Sequence, residues 1–500
     1  MQNYFKPFRE GIIGLNQQIE TPTAGKKRII YADWIAGGRN YLPIEHRLQN
    51  EIMPFVANTH TETSDTGKAM TYAYHKSKQI IKKHVNASEK DVLITCGSGM
   101  TRVINKLQRI LGLRVHESFL NRINLSESEK PVVFITHMEH HSNQTSWLET
   151  LAEVVVVEPS PEGCVSLENF EKTVAKYQNR KTKIAAITSA SNVTGLITPY
   201  HKVAALMHQA GGYCFVDFAC SAPYVDINMH PENPEEYLDA IYFSPHKFLG
   251  GPGSTGILIF NQELYHIEIP DNPGGGTVDW TNPWGEHKYV EDIEAREDGG
   301  TPAFLQTMKT AMVIQLKETM GVKNILKREE EQVELIWDKL ADIPRLHILA
   351  GNHKKRLGVI SFYIENLHHN EIVKLLNDKF GIQMRGGCSC AGTYGHYLLN
   401  VAPDVSQRIT EKINQHDYSE KPGWVRFSMH PTMTNEELLY IVDSIRELTE
   451  KYPEWIKDYN HEKSTSTIEY CKSNEVDFIY NTIDTIFEGS LIKSTNNKMQ

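Results

Sequence analysis

SPHKFLGGPGSTGILIF, residues 244–260, decides the fold through what flanks its glycines. Gly251, Gly253 and Gly256 fit the G-x-G-x-x-G spacing of a dinucleotide-binding turn. Such a turn must follow a strand directly and open a helix, so that the pyrophosphate meets the helix N-terminus. Here the glycines lead into ILIF, a β-rich apolar run, and the nicotinamide reading fails on that context. Before them stands AIYFS (240–244), a second β-rich run, with Ser244, His246 and Lys247 at its carboxyl end. Ligands on α/β sheets bind at the carboxyl ends of strands. A lysine beside glycines is ordinarily a solvated surface residue. One placed here can form a Schiff base if desolvation lowers its pKa.

Outward from this stretch, DVLIT, VVFIT, AEVVVVEP, KIAAITS and YCFVD are further short apolar runs bounded by polar or glycine segments. They read as buried strands. Helical spacing between them, as in KSKQIIKKHV (76–85), implies an α/β fold with a mostly parallel sheet and helices on both faces. YCFVDFACSAP ends its strand on Asp217, thirty residues before Lys247. A buried aspartate is costly unless paired, and a pyridinium nitrogen is a suitable partner. TCGSGMT (95–101) joins DVLIT to a helix, where backbone N–H groups and the Thr101 hydroxyl can meet phosphate. Phosphate cradle, aspartate and lysine, in that order at strand ends, point to pyridoxal 5′-phosphate.

A helix-rich passage (303–343) leads to the strand candidates LHILAG, GVISFYI and WVRFSMH and to a capping box, Thr434 and Glu437. The expected organisation is an N-terminal arm (1–28) packing with the smaller domain, a large cofactor-binding domain (29–308), a smaller α/β C-terminal domain (309–460) and a tail (461–500). In the tail, Ile479, Ile483, Ile486 and Phe487 have helical spacing, with Gly489 as a stop, which predicts one docked helix.

The 500 residues carry a formal net charge of −10, with 40% hydrophobic and 23% charged residues. That balance disfavours a sequence-independent grip on nucleic acid. No apolar run reaches bilayer-spanning length. The N-terminus lacks the basic-then-apolar layout of a signal peptide, so a cytoplasmic protein is expected. Seven scattered cysteines do not suit a secreted disulfide framework. The closest pair, Cys388 and Cys390, has no second Cys or Cys/His pair at zinc spacing, and no metal site is expected.

In its motifs the chain resembles the class V branch of fold-type I pyridoxal-phosphate enzymes, particularly the cysteine desulfurase/selenocysteine lyase group. YADWIAGG (31–38), MEHHSNQTSW (138–147), SNVTG (191–195), SPHK (244–247), GGGT (274–277), GGTP (299–302) and RGGCSCA (385–391) carry the resemblance. It implies a large domain with a mostly parallel seven-stranded sheet. It implies that Lys247 holds the cofactor and moves a proton, that Asp217 keeps the pyridine nitrogen protonated, and that His140 stacks on the ring. Asn192 would approach the phenolic oxygen. Met100, Thr101, Ser244 and His246 would meet the phosphate, and Thr301 would reach the phosphate of a neighbouring subunit in a homodimer. Arg426 would clamp the substrate carboxylate, with Asn192 and Arg385 beside it. Cys220 stands where the group commonly has Gln or His, and a thiol is a poor hydrogen-bond partner for the phenolic oxygen. HESFLNRINLSESEKP (116–131) and DWTNPWGEHKYVEDIEA (279–295) look longer than the family's usual connections.

The same resemblance sets Cys390 at the nucleophile position of an Arg-x-Gly-x-x-Cys-Ala loop. Glycines give such a loop freedom to move, and the nearby Arg385 favours a thiolate. Cysteine would become alanine, with a persulfide left on Cys390 for a sulfur-acceptor protein. Two alternatives stay open: a lyase, epimerase or aminotransferase of the same family acting on another amino acid, and a non-catalytic interaction protein on the same fold. Cys388 has no role fixed by the sequence.

Overall fold

The computed structural model describes residues 1–59, 61–120, 122–462, 467–471 and 478–489. The seven apolar runs pair into one sheet: β1 (Asp91–Cys96), β2 (Val132–Thr136), β3 (Glu153–Val157), β4 (Lys183–Thr188), β5 (Tyr213–Asp217), β6 (Ala240–Phe243) and β7 (Gly256–Asn261). The order is β1-β7-β6-β5-β4-β2-β3. Strands β6, β5, β4, β2 and β3 run parallel, and β7 is antiparallel to both its neighbours. Helices cover both faces, so the strands read as continuous apolar runs without polar alternation. Phe134, Ile187, Phe215, Ile241 and Ile259 are wholly buried.

The reversed β7 positions the site. Because β7 opposes both β1 and β6, those two strands keep one direction. The carboxyl ends of β1, β6, β5, β4 and β2 therefore share one edge of the sheet. The glycines of 250–256 serve the turn that returns the chain along this edge. Gly250 and Gly253 have φ of 83° and 89°, and a Cβ on Gly251 would stand 1.9 Å from the Pro245 carbonyl oxygen. Gly251→Ala is expected to cost about 1–3 kcal/mol through overpacking and to displace the Lys247 turn. A lower thermal midpoint together with weaker cofactor retention on dialysis checks this.

A second sheet is antiparallel throughout: β8 (Leu346–Ile348), β9 (Val359–Ile364), β10 (Arg385–Gly387) and β11 (Trp424–Ser428), in the order β8-β9-β11-β10. Helices Val322–Ala341, His369–Phe380 and Asn435–Trp455 accompany it. The capping box forms as expected: Thr434 accepts from the Glu437 N–H, and the Glu437 side chain accepts from the Thr434 N–H. The first helix, Gln2–Glu10, ties to this region through Arg9–Glu437 at 2.6 Å and the Met1 amine–Glu331 pair at 2.9 Å.

The two sheets meet at the carboxyl edge of the first. The Ile35 N–H donates to Ser428 Oγ (3.0 Å), Ser361 Oγ to the Val193 carbonyl (2.7 Å), and the Leu357 N–H to the Gly195 carbonyl (3.0 Å). The tail helix forms, Phe478–Glu488, but Ile483, Ile486 and Phe487 are exposed. These three side chains are uncovered among the described residues, where the spacing suggested a docked face, and the Ile479 side chain lies outside what is described. Residues 463–466, 472–477 and 490–500 of the expected tail lie outside the described residues. The long connection at 279–295 folds as a hairpin, Val278–Thr281 with His287–Tyr289, followed by a short helix, Ile293–Arg296. Among the described residues no helix is long and apolar enough to cross a membrane.

Candidate active site

A cavity of about 700 Å³ opens at the shared carboxyl edge, between the two sheets. Ser244, His246 and Lys247 reach it from the end of β6, and Asp217 and Cys220 from the end of β5. Met100 and Thr101 reach it from the helix after β1, and His140 from the segment after β2. Asn192 enters from the turn after β4, and Arg385 and Arg426 from the second sheet. Thr301 does not line it; it is exposed, on a turn packed against residues 272–277. Cys390 does not line it either, although its neighbour Ser389 does.

The phosphate-suited corner is the start of helix Met100–Ile110. Its Met100 N–H donates to Ser244 Oγ at 2.9 Å. His246 Nδ1 donates to the Ser98 carbonyl at 2.7 Å, and burial lowers the pKa of that imidazole, keeping it neutral. A Cβ on Gly99 would come within 3.0 Å of both His246 and Ser244. The bare glycine therefore keeps this corner open. Thr101 Oγ1 lies 2.7 Å from Ser142 Oγ. The helix N-terminus and these hydroxyls form a donor set fit for a phosphate.

Asp217 is buried, and Oδ1 accepts from the Ala219 N–H at 2.8 Å. Burial pushes its carboxyl up to about 6, against the opposing pull of that N–H and of Lys247. Burial likewise lowers the Lys247 ammonium, while Cys220 and Asp217 oppose the shift. Among the described residues Lys247 Nζ has no hydrogen-bond or ion-pair partner. The amine is thus biased toward the neutral, nucleophilic form a Schiff base needs. Burial pushes the Cys220 thiol up to about 12, so this residue is a neutral, weak donor beside the lysine.

His140 caps helix His141–Leu148, with its Nδ1 accepting from the Ser142 N–H at 3.1 Å. Burial and the adjacent Lys247 push its pKa down to about 3, which leaves a neutral ring on the cavity wall. Arg426 is buried on β11. Its Nη2 pairs with Asp33 Oδ1 at 2.7 Å and its Nη1 donates to the Asn192 carbonyl at 3.2 Å. Arg426 Nε and Asn192 Oδ1 are buried polar atoms without partners among the described residues. Such atoms are costly unless a ligand meets them. A buried carboxylate facing a free lysine, an open N-terminal cradle and orphaned atoms around them suit pyridoxal phosphate and an amino-acid carboxylate.

Arg385 sits opposite Arg426 in the β10–β11 register, and its Nη2 lies 3.8 Å from Cys390 Sγ. Cys390 and Cys388 are half-buried, and all seven cysteines are unpaired. Cys388 packs against an apolar cluster that includes Tyr394, Trp424 and Met138, and it does not line the cavity. Sequence reading missed Asp33 and His141 as parts of this site. Both lie inside quoted motifs, YADWIAGG and MEHHSNQTSW, but only the fold brings Asp33 to Arg426 and His141 to the Cys390 loop. It also missed a cationic rim, Arg102, Arg109 and Arg114, along and just beyond the cradle helix.

The family model described as Aminotransferase class-V matches residues 30–441. A protein of Halalkalibacterium halodurans named "Probable cysteine desulfurase" is 28% identical over 367 residues, 73% of this chain and 84% of its own length. A Staphylococcus aureus protein of the same name is 26% identical over 400 residues, covering 77% and 91%. Among solved structures, an apo cysteine desulfurase from Thermococcus onnurineus superposes with a TM-score of 0.69 at 22% identity, covering 88% of this chain and 97% of that one. The Escherichia coli cysteine desulfurase CsdA gives 0.68 at 19%, covering 89% and 98%. With that match spanning Lys247, Asp217 and the helix start at Met100, the chain belongs to the class V aminotransferases, pyridoxal 5′-phosphate-dependent enzymes of the fold-type I architecture.

Proposed function

We propose that this enzyme is a cysteine desulfurase, converting cysteine to alanine and collecting the sulfur as a persulfide on Cys390. The observation that carries the reading is the placement of Cys390. It rides a loop whose preceding residue lines the Lys247 cavity, with the Arg385 guanidinium 3.8 Å from its sulfur. The curated relatives named as cysteine desulfurases support it across most of their length.

Bound pyridoxal phosphate supplies an electron sink for charge developing at the substrate Cα. Lys247 would hold the cofactor's aldehyde carbon and then, as a free amine, carry the Cα proton at Nζ. Asp217 would hold a proton on the ring nitrogen, and the neutral His140 ring would cover one face. Met100, Thr101, Ser244 and His246 would fix the phosphate. Asn192 and Arg426 would orient the substrate, its carboxylate sharing the guanidinium with Asp33. Cys390 thiolate would attack the substrate sulfur. An S–S bond forms, the C–S bond breaks, and its electron pair and a proton end on Cβ, giving alanine. No external oxidant is needed. In a homodimer, the exposed Thr301 would complete the partner's cradle. A sulfur-acceptor protein would take the persulfide by thiol exchange, in a reducing compartment such as the cytoplasm.

The test is a panel of amino acids given to the holoenzyme, with spectral titration and product analysis. Cysteine is expected to yield alanine and, with added reductant, equimolar sulfide. Turnover of a different amino acid, with cysteine inert, would return the enzyme to the lyase, epimerase or aminotransferase reading.

A further inference from the structure

The Cys390 loop is held under backbone strain, and two of the four bonds that hold it from outside come from one residue that takes no part in the reaction scheme. Ser389 and Cys390 have φ of 51° and 56°, left-handed values disfavoured for residues with side chains. Two such residues in succession persist only where their surroundings over-determine them. Four hydrogen bonds do so. The Ser389 carbonyl accepts from Asn192 Nδ2 at 2.8 Å, and the Cys390 carbonyl from the His141 N–H at 2.7 Å. The Gly392 N–H donates to His141 Nε2 at 2.9 Å, and Thr393 Oγ1 to Gln144 Oε1 at 2.9 Å.

His141 thus grips the loop on both sides of Ala391, with its main chain before and its ring after. It can accept at Nε2 only while that nitrogen is unprotonated, and burial, followed by the charge of Lys421, lowers its pKa accordingly. Its chain neighbour His140 lines the cofactor cavity. We propose that His141 is the latch of the Cys390 loop: a positioning residue that holds the strained, docked conformation and whose release frees the thiol to travel. Paired with Asn192, which touches the cavity on one side and the loop on the other, it ties the position of the thiol to the occupied site. The catalytic consequence rests on the desulfurase reading; the latch itself is read without turnover.

The test is made on the holoenzyme, His141→Ala and His141→Gln. It uses residue-resolved hydrogen exchange over 388–393 and alkylation of Cys390 by iodoacetamide, compared at the high-pH plateau where the rate reports access alone. In His141→Ala both rates are expected to rise about three- to tenfold, the worth of one hydrogen bond. In His141→Gln, whose amide oxygen can take the Gly392 N–H, both stay close to wild type. Equal rates in wild type and His141→Ala, or an equal rise in both variants, would overturn the latch. So would exchange of the wild-type Gly392 amide at the rate of a free amide, a result independent of how any variant folds. Failure of the desulfurase reading shows separately, as wild-type enzyme that makes no alanine from cysteine.

Discussion

Lys247→Ala is expected to lower turnover by at least about a thousandfold, the scale of losing a positioned proton carrier. It should also prevent borohydride from fixing the cofactor to the chain. The expectation rests on the environment of the amine. Burial lowers its pKa, Asp217 and Cys220 oppose that shift only in part, and no side chain among the described residues engages Nζ. A surface lysine would be protonated and hydrated, and its loss would change little. Lys247→Arg sharpens the test, because a guanidinium keeps the charge but cannot be deprotonated to form a Schiff base. Both variants should bind the cofactor non-covalently in the Met100–Ile110 cradle with little change in thermal midpoint. Kinetics and borohydride trapping with mass analysis check this; covalent trapping in either variant would mean that another amine holds the cofactor.

Cys390→Ala is expected to abolish alanine formation from cysteine, by about 10⁴-fold or more, as for removal of a nucleophile. It should leave cofactor loading and substrate binding at wild-type level, since the thiol is not part of the cavity wall. That separation is the mark of the proposed role. A residue that merely supported the pocket would alter binding first. Cys388→Ala, which removes a thiol at the edge of an apolar cluster and off the cavity wall, should retain activity within a few-fold. Alanine assays beside spectral titration with cysteine distinguish these outcomes.

Much of this was legible in the sequence because local pattern and global position agreed. Each of the seven strands of the main sheet announced itself as a β-rich run, and Asp217 and Lys247 stand at or just beyond the carboxyl ends of two of them. The capping box at Thr434 formed as its residue types require. Where the reading fell short, the missing information was tertiary. β10 consists of Arg385, Gly386 and Gly387, which carry no alternation; pairing with β11 alone makes them a strand. Arg426 was placed at the site by the family resemblance alone; its partner Asp33, 393 residues away in sequence, is what no local pattern showed. His141 was visible as the second histidine of a motif, but its hold on Gly392 spans 251 residues. The tail helix shows the opposite failure. Its spacing described the helix correctly, but an apolar face does not by itself guarantee a surface to cover it.

The most direct test of the desulfurase mechanism is a single-turnover reaction of holoenzyme with cysteine in the absence of reductant, with mass analysis of the peptide bearing Cys390. One sulfur atom added to Cys390, in step with one alanine released and absent from Cys390→Ala, is the predicted result. Alanine formed with no sulfur on Cys390, or formed undiminished in Cys390→Ala, would contradict it.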